Sequence, residues 1–133
     1  MTAPQELFPD VEEILAVLLE PLVGGSEYTG PEVPANLQQL GKFIRVKRGG
    51  GYSDQLNDYA TVDIDCFHTT YRTGVKPLAE AVRQFLINGS HRHGRAVIDR
   101  IRCTSAPTEQ AWAPGIRRMY ATYEVVSRRY RPS

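Results

Sequence analysis

The chain has 133 residues, 41% of them hydrophobic, and a formal net charge of +1. That is enough apolar material for one compact core, and no apolar run approaches the roughly 18–20 residues that span a bilayer. Two cysteines, Cys66 and Cys103, are too few for a disulfide scaffold and read as small buried hydrophobes in strand-like sequence.

The small net charge hides a division along the chain. Residues 1–41 hold seven carboxylates (Glu6, Asp10, Glu12, Glu13, Glu20, Glu27 and Glu32) and no Lys, Arg or His, whereas all sixteen cations follow from Lys42 onward. Opposite fields on one small polypeptide suit contact between copies, or leave one face for a polyanion. The acidic, polar start lacks the cations and apolar stretch of a secretory signal, so a cytosolic product, or one enclosed in something assembled there, is expected.

The first predicted element is a helix over residues 9–23. Pro9-Asp10 opens it, Asp10 and Glu13 have capping-box spacing, and Val11, Ile14, Leu15, Leu18, Leu19 and Leu22 form one apolar stripe. Gly24-Gly25 ends it. Residues 24–41 read as an extended linker crossing the surface. Lys42–Arg48 predicts a strand, with Ile44 and Val46 alternating against Arg45 and Lys47, and residues 49–58 a flexible polar loop. Over 59–68, Ala60, Val62, Ile64 and Cys66 fall on one strand face and Thr61, Asp63, Asp65 and Phe67 on the other. A second helix over 75–88 carries Leu78, Ala81, Val82, Phe85 and Leu86, and stops at Asn88-Gly89. Residues 96–104 predict a third strand, 105–115 a loop holding the lone Trp112, and 117–129 a final strand. On that strand Met119, Ala121, Tyr123 and Val125 oppose Tyr120, Thr122, Glu124 and Val126.

The order helix-strand-strand-helix-strand-strand predicts an α+β single domain over 1–133: about four strands, mostly antiparallel, flanked by two main helices. Apolar and aromatic residues on both faces of the last strand imply a covering partner.

Motifs for chemistry are weak. Asp63 and Asp65 share a strand face, as Mg²⁺-holding carboxylates do in nucleases, but nothing marks a third group beside them. His68, His91, His93, Cys66 and Cys103 fit no zinc spacing. Gly49-Gly50-Gly51 leads to a strand rather than a helix, unlike a phosphate cradle, and no nucleophile elbow is present. No catalytic, cofactor-binding or metal-ligating residue is assigned. The cations cluster as Arg92, Arg95, Arg100 and Arg102, and as Arg117, Arg118, Arg128, Arg129 and Arg131. With Tyr120, Tyr123 and Tyr130 among them they suit protein interfaces or a passing phosphate backbone.

Phe43-Ile44-Arg45-Val46-Lys47-Arg48-Gly49-Gly50-Gly51, followed by Asp54 and Asp58 to Phe67, resembles tail terminator and tail-completion proteins of long-tailed bacteriophages, above all those infecting actinobacteria. The leading helix, the second helix from Val75-Lys76-Pro77 and the long last strand are similar too. The resemblance implies a non-enzymatic virion protein of the tail or neck, assembled in the host cytoplasm. It implies a six-fold ring that caps the tail tube, ends its polymerisation and joins the tail to the head connector or stopper, with genomic DNA passing through. No cofactor and no membrane are implied. In that setting Glu12, Glu13 and Glu20 are candidates to meet Arg117, Arg118, Arg128 and Arg129 of the next copy, a heterologous contact. Gly49, Gly50, Gly51, Tyr52 and Asp54 are candidates for a loop docking on the tube protein or connector. The competing functions are another neck component, a DNA-binding module with steep salt dependence, and, least favoured, a nuclease on Asp63 and Asp65.

Overall fold

The computed structural model describes residues 8–130. Asp10, in extended conformation, caps helix α1 (Val11–Leu19) by accepting the Glu13 N–H at 3.2 Å. This satisfies one of the helix's unpaired amides, and Glu12 and Glu13 sit at its positive end. Val11, Ile14, Leu15 and Leu19 are buried, with Leu18 and Leu22 packed at the margin. A 3₁₀ turn containing Pro21 ends this helical stretch.

The sheet has six strands: β1 (Thr29–Gly30), β2 (Lys42–Ser53), β3 (Asn57–His68), β4 (His91–His93), β5 (Ala96–Ala113) and β6 (Ile116–Arg128). Their spatial order is β1-β2-β3-β6-β5-β4; β1 runs parallel to β2 and every other pair is antiparallel. The expected four-stranded, mostly antiparallel sheet flanked by two helices is therefore corrected to a six-stranded, mixed, curled sheet.

The physical reasons are local. β1 has two residues and β4 three, too short for any alternation to register. Residues 49–53 extend β2 through its glycines, past a register shift between Arg48 and Gly50, where a loop was predicted. At Gly51, with φ of +126°, a Cβ would fall on the Tyr59 carbonyl oxygen, so only glycine lets the two backbones approach. The distal half of β5, predicted as loop, is a ribbon mostly exposed on both faces and held to β6 by backbone bonds, so it needs no apolar pattern. Beyond Ile98 the outer edge of β5 has no strand partner among the described residues. Pro107 lies in that stretch, and the register against β6 shifts repeatedly.

Residues 24–41 wrap an edge of the sheet. The chain leaves α1 on one face, runs along the edge as β1, and crosses to the other face as the four-residue helix α2 (Leu37–Leu40). A π-helical turn, Tyr71–Val75, leads into α3 (Lys76–Ile87), which buries Leu78, Ala79, Val82 and Leu86. Ala79 takes the buried place predicted for Ala81, which is exposed.

Two apolar clusters result. The larger lies between α1, α3 and the inner face of the sheet, with Ile44, Val46, Ala60, Val62, Ile64, Cys66, Met119, Ala121, Tyr123 and Val125 from the three central strands. The alternation predicted for β3 and β6 is the alternation observed. The smaller cluster lies on the outer face, where Leu37 of α2 meets Phe43, Phe67 and Ile116. The chain thus covers part of its own second face.

Candidate assembly surfaces

The outer face beside this small cluster is polar, but it is not an open charged surface. Asp65, with a side chain only 1% exposed, accepts from Arg45 Nη1 at 3.0 Å and from Arg118 Nε at 2.7 Å. The three come from β2, β3 and β6, adjacent in the sheet, because Arg45 and Tyr120 pair with Asp65 across the strands. The Arg118 guanidinium lies over the rings of Trp112 and Tyr120, 5.3 and 5.7 Å from their centroids. Trp112 in turn meets Phe67 edge to face at 5.0 Å. Two residues along β3, Asp63 accepts from the Tyr120 hydroxyl at 2.8 Å and the Thr122 hydroxyl at 3.0 Å.

This arrangement occupies both Asp63 and Asp65 within the chain. Both carboxylates already receive short hydrogen bonds, and two arginines flank Asp65 where a cation would have to sit. Among the described residues no group of three or more His, Cys, Asp or Glu is placed to hold a metal ion. His68 and His91 serve locally: His68 Nδ1 lies 3.3 Å from the Thr70 N–H, and His91 Nε2 lies 3.0 Å from the Leu86 carbonyl oxygen. Burial and the nearby Lys42 lower the His68 pKa, and burial pushes the Cys66 thiol up to about 12.

The predicted interface residues separate into two groups. Glu13 is exposed and Glu20 partly so, and both line a groove of about 390 Å³ between α1 and β1, together with Asp10 and Glu12. Glu12, however, accepts the Arg48 backbone N–H at 2.8 Å and ties α1 to β2. On the basic side, Arg117 bonds Glu109 at 2.8 Å, Arg118 bonds Asp65, and Arg128 bonds Asp99 at 2.9 Å. Arg129 makes no carboxylate contact among the described residues; its guanidinium reaches the Gln55 carbonyl oxygen at 3.4 Å. Of the four arginines assigned to a neighbour, three are engaged within their own chain. Glu6 and Arg131 lie outside the described residues.

The predicted docking loop is the tip of the β2–β3 hairpin. Its turn is fixed by Asp54, whose carboxylate accepts from Leu56 N at 2.8 Å and Asn57 N at 2.7 Å; these two backbone bonds lower its pKa. At its base, burial of Asp58 favours the neutral acid. The Arg48 fork, at 2.6 and 2.9 Å, and the Ser53 hydroxyl at 2.7 Å outweigh this and hold its pKa below the ordinary value. Tyr52 stacks on Tyr59 with centroids 4.7 Å apart, yet stays 67% exposed, and Leu56 is 73% exposed. Sequence reasoning missed Leu56, although one leucine in an otherwise polar loop was the available signal.

A second unassigned feature lies at the far end of the sheet. Val33, Leu37, Ile116 and Trp112 line a groove of about 570 Å³ with Glu32 and Arg45 at its rim. Trp112 is 48% exposed. It was legible as a lone tryptophan among Ala, Pro and Gly, but Val33 and Leu37, which line the groove with it, lie more than seventy residues away in the chain.

No protein-family model matches the chain, and no curated protein matches it. Among solved structures, the fold is similar to that of a chain in the virion of a native gene transfer agent particle. The TM-score is 0.57 at 16% identity, over 84% of this chain and 84% of that one. At that identity the likeness is one of fold.

Proposed function

We propose that the chain is a structural protein of a phage-type virion, and within it the tail terminator. In this reading, copies form a ring that caps the tail tube, ends its growth and offers the surface that joins the tail to the head connector or stopper. The observation that carries the virion role is the fold shared with a virion chain over most of both lengths. The finer role rests on the sequence resemblance to tail terminators in β2, β3 and the two main helices. The shape agrees with such work: α1 presents an acidic groove, and the two hairpin tips project from opposite ends of the sheet.

The test is electron microscopy of particles assembled with the gene interrupted. Overlong, irregular tails support termination. Tails of normal length lying apart from filled or leaking heads assign the chain to the connector side of the neck instead. Charge reversal at Glu13 and Glu20 probes the acidic groove without disturbing the Glu12 tie to β2, and is expected to impair ring formation.

A further inference from the structure

We infer that neighbouring copies engage end to end, the Tyr52–Leu56 hairpin tip of one seated in the Trp112 groove of the next. The inference deepens the reading as a self-assembling ring and rests on it. Four large hydrophobic side chains are exposed among the described residues: Tyr52, Leu56, Trp112 and Ile87. Two of them form the tip and a third lines the groove. β3 and β6 pair from Asn57–Arg128 at one end to His68–Arg117 at the other. Eleven residue steps at about 3.3 Å each put tip and groove roughly 36 Å apart, at opposite ends of the molecule. Knob and socket so far apart on one chain cannot meet within it. They meet between copies, in the heterologous arrangement that closes into rings.

The chemistry of the two ends matches. The groove is lined by apolar Val33, Leu37 and Ile116 and by two charged residues, Arg45, whose charge is met by Asp65, and Glu32, whose side chain is 77% exposed and among the described residues contacts only Lys47, at 3.4 Å. The tip brings Leu56 and Tyr52, flanked by Arg129, which makes no carboxylate contact among the described residues. Seating Leu56 on the groove floor sets Arg129 to face Glu32 of the neighbour. The tip is also pre-organised, because Asp54 bonds two backbone amides and Arg129 N donates to the Leu56 carbonyl oxygen at 2.9 Å. Little ordering entropy is then lost on docking. The acidic groove of α1 is a separate surface and is not part of this contact.

The test is site-directed cross-linking in a Cys103→Ser background, which removes the more accessible native thiol. Leu56→Cys and Val33→Cys proteins are oxidised mildly, each alone and as an equal mixture, and self-association of the parent, Leu56→Asp and Glu13→Lys/Glu20→Lys proteins is followed by sedimentation. The expected result is a disulfide dimer in the mixture, at least about tenfold above either protein alone, and at least about tenfold weaker association for Leu56→Asp. Cross-linking of Leu56→Cys chiefly with itself overturns the inference, since it means a symmetric contact. Rings formed normally by Leu56→Asp but not by the Glu13/Glu20 variant overturn it and leave the ring standing. No cross-link and no association of the parent at any concentration overturn both.

Discussion

Replacing Asp65 with Asn tests the central argument about the outer face. The substitution keeps shape but removes the charge that Arg45 and Arg118 share, and it turns an amide N–H₂ toward one of them. Taking one partner from a fully buried ion pair costs about 3–5 kcal/mol. Here the arginine side chains are 28% and 19% exposed, so water offsets part of the loss and about 2–4 kcal/mol remains. With an unfolding entropy of about 2.1 cal/mol/K per residue, a chain of 133 residues loses roughly 3.5 °C in Tm per kcal/mol, or about 7–14 °C in all. The assay is thermal unfolding by circular dichroism, alongside emission from Trp112, whose ring lies against Arg118. Glu109→Gln, which removes an exposed pair with Arg117, is the comparison and should cost no more than about 1 kcal/mol. An Asp65→Asn protein melting within about 3 °C of the parent refutes the view that this carboxylate organises the face.

Three further outcomes follow from the geometry. Asp58 has a pKa lowered in the folded state, so its stabilising contribution is present above the unfolded value of about 3.9 and fades as pH falls from there through the folded value. Urea midpoints taken from pH 6 to pH 2.5 should fall most steeply below about pH 4, and Arg48→Gln should flatten that fall. Gly51→Ala should cost roughly 3 kcal/mol or more, because its Cβ meets backbone. Gly50→Ala, with open space at its Cβ, should be nearly silent, and amide exchange in the β2–β3 hairpin distinguishes the two. Asp10→Ala removes the α1 cap and should lower stability by about 1 kcal/mol in denaturant titration.

The sequence pattern was readable wherever burial imposed a period. α1 declared itself through its stripe and Asp10, α3 through its apolar face and Asn88-Gly89, and β3 and β6 through alternation. What stayed hidden was held by backbone pairing or by distant contacts. The triglycine reads as loop because glycine carries no side-chain signal, yet Gly51 is in strand, where the backbone runs so close to Tyr59 that a larger residue would collide. Thr104–Ala113 has no apolar rhythm because neither of its faces is packed into the core. The spacing of Asp63 and Asp65 suggested paired carboxylates, but their partners Arg118, Tyr120 and Thr122 lie more than fifty residues away. The basic cluster was visible as a composition; that Arg117, Arg118 and Arg128 are neutralised within the chain was not, because it depends on strand register.

The outer edge of β5 bears on how crowding is tolerated. Past Ile98 that edge has no strand partner among the described residues and offers main-chain groups that another strand could capture, the usual start of fibre growth at high concentration. Pro107 has no amide to donate there, and the repeated register shifts interrupt the even ladder an incoming strand needs. Any contact made at this edge is thereby left to side chains, whose fit is finite and geometrically particular. A sheet margin so built resists open-ended strand addition, so that crowding need not end in fibres.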